Sequence, residues 1–369
     1  MRIALNLLYL IPGVVGGTET YAKALIRTLA ALDGDNEYIV FVNRLGAEMD
    51  ITPASNFRRV VCGFNPIRRA VRYLWEQSVL PVQLRRERPD LVHSLGYVVP
   101  LAASAPQVVS VPDLNFLGHQ GWGTPLGRRL HGFFVQRSVN KADHVITISD
   151  FSRGEIVRRL GVPEEKVTVV SLAAGGRTDA RAVRQSQVGT VDIDTPYILA
   201  FSALTGHKNI ARLVSAFKKI STEVPHSLLL VGHLPDNPAF REEIEQTAGD
   251  RVHFTGYLSD EEVGSLMQRA SLFAFPSLYE GFGLPVLDAQ QAGVPVACSS
   301  AAALPETAGK GACLFDPLSV EDIARALKRC LLDADLRARL IRDGYENVRR
   351  FSWDKTARET LRIYSMVAA

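Results

Sequence analysis

Glu280 and Asp288 lie eight positions apart in the run Glu-Gly-Phe-Gly-Leu-Pro-Val-Leu-Asp, where residue type and spacing together suggest a chemistry. Pro285 pre-sets a first helical turn and has no N–H to leave orphaned, so the amides of Gly283 and Leu284 stay free to meet an anion at the positive helix end. Phosphate oxygens suit that position. Glu280, just before the helix, can reach a neutral polyol such as a hexose. Asp288, about one turn inside, can accept both hydroxyls of a ribose. A nucleotide sugar would satisfy all three. Acids near a helix start also serve simply to complement the macrodipole. The flanks favour the site: a strand-like Ser271–Ser277, the turn Gly281-Phe282-Gly283, an amphipathic helix to Gly293 and a strand Val294–Cys298 make a βαβ unit of the nucleotide-handling kind.

Other residues extend this chemistry. Lys208, in His207-Lys208-Asn209, stands at the start of a helix expected over 210–220, against the dipole, and a bound diphosphate would explain it; a solvated lysine is the alternative. Gly16-Gly17 precedes a helix whose apolar face is Tyr21, Leu25, Leu29 and Leu32. A glycine pair there admits close backbone approach to a ligand, or makes only a tight turn. It is not G-x-G-x-x-G with a following acid, which argues against a dehydrogenase. The Asp-x-Asp pairs Asp33/Asp35, Asp192/Asp194 and Asp333/Asp335 sit where turns and helix caps are expected, so no metal is assigned. His93 closes a strand and could touch acceptor or sugar, though a lone histidine is more often structural. His119 and His131 follow Asp113 and receive no role.

The elements needed to position these groups are visible as apolar runs alternating with helical segments. Strands are expected near 3–10, 38–42, 91–95, 108–111, 144–148 and 167–170, then near 197–201, 228–231, 252–255, 272–275, 294–297 and 312–315. This is α/β: two doubly wound, Rossmann-like domains with parallel sheets, expected to face an interdomain cleft. The domains are assigned as 1–180 and 190–350, with a hinge in the polar stretch 177–195 and a terminal helix at about 353–369 packing back on the first domain.

Composition narrows the class. The 369 residues are 47% hydrophobic and 22% charged, ordinary for a water-soluble α/β chain, and the net charge of +3 is too small to imply nucleic-acid binding. The charge is uneven: residues 1–185 hold 23 Lys+Arg against 16 Asp+Glu, and the remainder 19 against 23. Arg58, Arg59, Arg68, Arg69, Arg72, Arg85, Arg86 and Arg88 flank the apolar Val71, Leu74, Trp75, Val79 and Leu80. That pattern fits an anionic membrane surface, or a core-facing helix with a solvated arginine rim, the reading preferred on sequence. Cys62, Cys298, Cys313 and Cys330 lack C-x-x-C spacing and read as free thiols of a reducing compartment. No run reaches the roughly 20 apolar residues of a membrane span. A cytoplasmic protein, at most peripheral at the inner membrane face, is expected.

Together, Gly16-Gly17-Thr-Glu, Pro89-Asp-Leu-Val-His93, Val145–Arg153, Leu160–Val170, His207-Lys208-Asn209, Val252–Leu258 and the Glu280 segment resemble retaining glycosyltransferases of family 4, which have the GT-B fold. The resemblance implies hexose transfer (mannose, glucose, rhamnose or similar) from a nucleoside diphosphate sugar to a saccharide or lipid-linked glycan, without cofactor or metal. It implies donor contacts from Gly16, Gly17, His207, Lys208, Glu280, Phe282, Gly283, Leu284 and Asp288, with base contacts at Gly256, Tyr257 and Leu258. Glu280, Lys208 and Asp113 would be catalytic, and His93 and Asp113 would meet the acceptor. The chain departs from the family in having Asp288 for Glu, no Arg near Ser202-Ala203, Pro112-Asp113 for His-Asp, and Leu172–Arg177 for Pro-x-Gly-Val-Asp. Those departures motivate two alternatives, a non-catalytic nucleotide-sugar binding protein and an epimerase of the same fold. No pyridoxal-lysine motif supports phosphorylase chemistry.

Overall fold

The computed structural model describes the chain except for residues 15, 52–53, 119–123, 176–186, 189–190, 193–194, 203–205, 233–241, 243–245 and 247–249. His119, most of the 177–195 stretch, Ala203, Asp194 and the Gly176-Arg177 pair lie outside the described residues. The chain forms two compact units. One runs to Leu172 and recovers Ser352–Ala369; the other is built chiefly from Ala173–Phe351.

The first unit holds a seven-stranded, wholly parallel sheet of β1 (Arg2–Asn6), β2 (Glu37–Asn43), β3 (Phe57–Cys62), β4 (Leu91–Ser94), β5 (Gln107–Ser110), β6 (His144–Thr147) and β7 (Val167–Val169), in the order β3-β2-β1-β4-β5-β6-β7. Its helices are α1 (Gly17–Leu32), α2 (Arg69–Ser78), α3 (Leu80–Glu87), α4 (Pro125–Lys141) and α5 (Asp150–Leu160). The central strands are apolar because helices cover both faces of a parallel sheet: Tyr38, Ile39, Val40 and Phe41 are all fully buried. Sequence missed β3, whose Phe-Arg-Arg-Val-Val-Cys carries two arginines and half-exposed positions; as an edge strand it needs burial on fewer sides.

The second unit begins with a two-residue antiparallel pair, β8 (Gln187–Val188) and β9 (Val191–Asp192). Its main sheet comprises β10 (Tyr197–Phe201), β11 (Ser227–Val231), β12 (Val252–Gly256), β13 (Leu272–Phe275), β14 (Val296–Ser299) and β15 (Ala312–Phe315), ordered β12-β11-β10-β13-β14-β15 and again all parallel. The described helices here are α6 (Ile210–Ile220), α7 (Asp260–Arg269), α8 (Leu284–Gln291), α9 (Leu304–Ala308), α10 (Val320–Leu332) and α11 (Ala334–Val348). Strand alternation sorts the core into two layers. Ile198, Ala200, Leu228 and Leu230 join α6 and α10 through Leu213, Phe217, Ile323 and Leu327. Leu199, Leu229, Phe273 and Phe275 join α7 and α8 on the other face through Leu266 and Val286. The expected doubly wound sheets are present. β14 starts two residues later than expected, because Val294 and Pro295 form the approach to the strand.

The last helix, α12 (Trp353–Ala368), belongs to the first unit and packs against α1, β4 and β5. A hydrogen-bond chain fixes it there. Tyr364 Oη lies 2.6 Å from His93 Nδ1, His93 Nε2 lies 2.8 Å from Ser110 Oγ, and Ser110 Oγ lies 3.0 Å from Tyr21 Oη. Two of the Asp-x-Asp acids do what turn chemistry suggests: Asp33 accepts the amides of Asp35 and Asn36, and Asp333 caps α11 through the Leu336 amide.

Candidate active site

In an open parallel sheet, ligands collect beyond the strand C-termini where the strand order reverses direction. In the second unit that point lies between β10 and β13, which are hydrogen-bonded neighbours although β11 and β12 intervene in sequence. The loop after β10 carries Lys208 and the loop after β13 carries Glu280. Their side chains meet there, Lys208 Nζ donating to Glu280 Oε1 at 2.6 Å, with each side chain less than one-fifth exposed. The ammonium also lies 4.8 Å from the centroid of the Phe275 ring.

Local sequence explains this placement. Gly206–Lys208 is a short 3₁₀ turn, and buried Asn209 behind it takes a left-handed conformation with φ 58°. The Asn209 side-chain amide donates to the carbonyls of Pro276 (3.0 Å) and Pro317 (2.7 Å), while the Leu278 amide donates to the His207 carbonyl at 2.8 Å. These bonds tie the Lys208 turn to the Glu280 loop. Asn209 is thus the anchor of the motif, although sequence reading assigned it no role. Lys208 does not need a bound anion to explain its position, since Glu280 already offsets its charge. Burial by itself would raise the Glu280 carboxyl, but the charges of Lys208 and His207 outweigh it and hold the group below the usual carboxylate range.

Beside this pair, α8 begins. Gly283 caps it with φ 110°, and a Cβ built there would lie 2.7 Å from Leu304 Cδ2. Only glycine combines that dihedral with that contact. Gly283→Ala is expected to cost about 1–3 kcal/mol of stability by forcing an unfavourable backbone region; a denaturation midpoint equal to wild type would rule the constraint out. Leu284 opens the helix half-buried, and Phe282 is buried with its ring edge-on against Phe351. Asp288 is 2% exposed and accepts the Gly175 amide at 2.7 Å. One of its oxygens is therefore engaged by main chain preceding the undescribed stretch, a contact that helical spacing could not reveal.

At the ends of β10, β11 and β12 the main chain draws together: Gly232 N donates to Gly256 O at 2.9 Å, and a Cβ on Gly232 would lie 2.3 Å from the Ser202 carbonyl oxygen. Gly232, with φ 119°, was not singled out in sequence; the signal was a glycine ending an apolar strand. Gly256 is half-buried, Leu258 likewise, and Tyr257 is exposed.

The first unit has its own cluster. Gly16 precedes α1 and Gly17 opens it, both exposed; behind them Glu19 accepts the Gly13 amide at 2.8 Å and the Lys23 ammonium at 2.6 Å, closing the loop. Half-buried Asp113, beyond β5, accepts the Asn115 amide at 2.9 Å and the Tyr97 hydroxyl at 3.3 Å. The Tyr97 ring stands edge-on to His131 at 5.4 Å, and His131 Nδ1 is 2.6 Å from the Tyr73 hydroxyl. His131, left without a role in sequence, belongs to this group. Burial drives its imidazole well below the ordinary histidine range.

His93 is a correction. It is fully buried, with both ring nitrogens hydrogen-bonded to Tyr364 and Ser110, so it fastens α12 and has nothing left for an acceptor. Burial lowers its pKa from 6.5 to about 3. The unfolded chain therefore takes up this proton first, and the residue's contribution to stability is complete above about pH 6.5 and lost as the pH falls toward 3. We expect the denaturation midpoint to fall across that window in the wild type and less steeply in His93→Gln; parallel pH profiles would contradict the assignment.

Comparison with known proteins follows the same division. Residues 15–173 match the family described as Glycosyltransferase Family 4, and residues 184–347 the family described as Glycosyl transferases group 1. The chain is 30% identical over 241 residues to O-antigen chain mannosyltransferase B of Escherichia coli, covering 63% of each chain. It is 32% identical over 260 residues to the MMP alpha-(1->4)-mannosyltransferase of Mycolicibacterium hassiacum, covering 67% of this chain and 60% of that one. These matches span less than two thirds of either relative's length. Among solved structures, sucrose-phosphate synthase of Thermosynechococcus elongatus superposes with a TM-score of 0.79 at 20% identity, over 99% of this chain and 98% of that one, a likeness of fold. With each half matched by a glycosyltransferase family and the fold shared, the chain belongs to the GT-B glycosyltransferases.

Proposed function

We propose that this chain transfers a hexose from a nucleoside diphosphate sugar to a saccharide or lipid-linked glycan, with retention of anomeric configuration and without a metal ion. The carrying observation is the Lys208–Glu280 pair at the β10/β13 switch point, beside the N-terminus of α8. A lysine, a carboxylate and the amides of a helix start form a compact set of partners for diphosphate and polyol. The relatives named as mannosyltransferases favour mannose as the sugar.

In this reading the donor exchanges the partners of the pair. The diphosphate takes Lys208, and Glu280 turns to the sugar hydroxyls. As the bond from the anomeric carbon to the phosphate oxygen breaks, the electron pair leaves with the diphosphate, and Lys208 and the α8 amides stabilise the growing charge. The acceptor oxygen attacks the same face, and its proton passes to the departing phosphate oxygen. Within the first unit, Asp113 is the residue we assign to acceptor binding. The thiols fit a cytoplasmic setting: all four cysteines are free.

The test incubates the protein with GDP-, UDP- and dTDP-sugars and an acceptor panel, in EDTA, and determines the product's anomeric configuration by NMR. Transfer with retention from at least one donor supports the proposal. A folded protein that neither binds nor consumes any of them overturns it.

A further inference from the structure

The four cysteines of the chain sit in unlike surroundings. Cys62 and Cys298 are buried strand residues, and burial raises both thiols, Cys62 to about 11. Such groups stay protonated and inert. Cys313 and Cys330 differ. Register pairs Cys313 on β15 with Ala297 on β14, and both join the core layer that α10 covers, while Cys298, one position on, belongs to the layer on the opposite face. Cys330 lies in the last turn of α10, buried in the same layer as Cys313. The two thiols therefore meet across the contact of strand and helix, where they hydrogen-bond to each other.

β15 is the edge of its sheet, so one side of Cys313 has no neighbouring strand and the residue is only half-buried. The bond from Cys330, with the charges of Arg329 and Arg339, outweighs burial and Asp322 and lowers the Cys313 thiol. The same bond, together with burial, raises Cys330. An accessible sulfur that ionises readily, beside a buried one that does not, is the arrangement of an attacking and a resolving thiol.

We propose that Cys313 and Cys330 form a reversible modification site, oxidised by hydrogen peroxide to a disulfide that ties α10 to β15. The Cys313 thiolate attacks one peroxide oxygen, the O–O bond breaks, and the departing hydroxide takes up a proton as water. The Cys330 sulfur then attacks the sulfenic acid: an S–S bond forms, the S–O bond breaks, and the hydroxyl leaves with the Cys330 proton as a second water. The two sulfurs lose two electrons and the peroxide gains them. A thiol reductant reverses the change by exchange.

The crosslink reaches beyond the pair. Residues 316–319 join β15 to α10, and the Pro317 carbonyl in this link accepts the Asn209 side chain that anchors the Lys208 turn. Partner exchange at Lys208 needs that turn to adjust, so a crosslink behind its anchor opposes donor binding. This second effect rests on the donor reading; the modification itself does not.

The experiment treats the folded full chain with hydrogen peroxide near neutral pH, without donor or acceptor, alkylates the remaining thiols after denaturation and maps the peptides by mass spectrometry. We expect a Cys313–Cys330 peptide within one chain, formed at least about tenfold faster than any change at Cys62 or Cys298 and removed by dithiothreitol. Cys313→Ser should abolish the reaction, and Cys330→Ala should leave Cys313 as a sulfenic acid that dimedone traps. The wild-type map decides whether or not either variant folds. Intact thiols at both positions, earlier loss of Cys62 or Cys298, or a linkage between two chains would overturn the proposal. Calorimetric titration of a nucleoside diphosphate should then show binding at least about fivefold weaker after oxidation, the low end of a coupling between sites, and restored by dithiothreitol. Equal affinities overturn the coupling. A reduced protein that binds no nucleoside diphosphate defeats the donor reading and leaves the peptide map as it is, so the two readings fail separately.

Discussion

Replacing Glu280 by glutamine is expected to lower the turnover of hexose transfer by about 10²–10³ while leaving the protein folded. The magnitude is that of removing one preorganised electrostatic group from a reacting centre. Glutamine keeps the shape and one acceptor oxygen but loses the charge that accompanies Lys208. Initial rates at saturating donor, together with a thermal denaturation curve, read both effects. Turnover within a few-fold of wild type would show that Glu280 only fixes Lys208.

A solvent-facing site acid contributes little packing, so its truncation would remove activity and leave stability nearly intact. The geometry alters that expectation. Lys208 and Glu280 are each mostly buried and 2.6 Å apart, so truncation strands an ammonium in a poorly solvated place. Glu280→Ala is expected to lose about 1–3 kcal/mol as well as activity, the cost of leaving a buried polar group without its partner. Since the folded carboxyl titrates below its ordinary 4.5, the pair stabilises fully above about that pH and loses its contribution as the pH falls through the lowered value. The gap between wild type and Glu280→Ala should close in acid.

What could be read from the residues was whatever is encoded locally. Continuous apolar runs revealed nearly all the strands, and the Glu280–Asp288 run revealed a turn opening a helix, because those patterns arise within ten residues. Partnerships across the fold were invisible. His93 looked like a site histidine at a strand end until Tyr364, 271 positions away, was found hydrogen-bonded to it. Lys208 looked like a cation awaiting phosphate because its carboxylate lies 72 positions on. In α2 the helical period was correct, but a period does not state which face turns inward. Only the buried Arg72–Glu76 pair and the Tyr73–His131 bond reveal that the apolar side was left outside. Strand β3 was missed for a related reason, since edge position relaxes the demand for apolar residues.

Lys208→Ala separates the two roles that the pairing confers on this residue. If the diphosphate takes the ammonium, affinity for a nucleoside diphosphate should fall by about 1.5–3 kcal/mol, the usual worth of a hydrogen bond to a charged group, or roughly ten- to a hundredfold in Kd. Affinity for the corresponding nucleoside should not change, because it offers no phosphate. Calorimetric titration of both ligands measures the difference directly. Lys208→Arg should recover part of the loss, since charge is kept while geometry alters. The variant also leaves the Glu280 carboxylate buried without its cation, which favours protonation and costs stability whether or not phosphate binds. Stability loss therefore cannot decide the matter. If the diphosphate and the nucleoside weaken equally, Lys208 serves to hold Glu280 in place, and the exchange of partners on donor binding has to be abandoned.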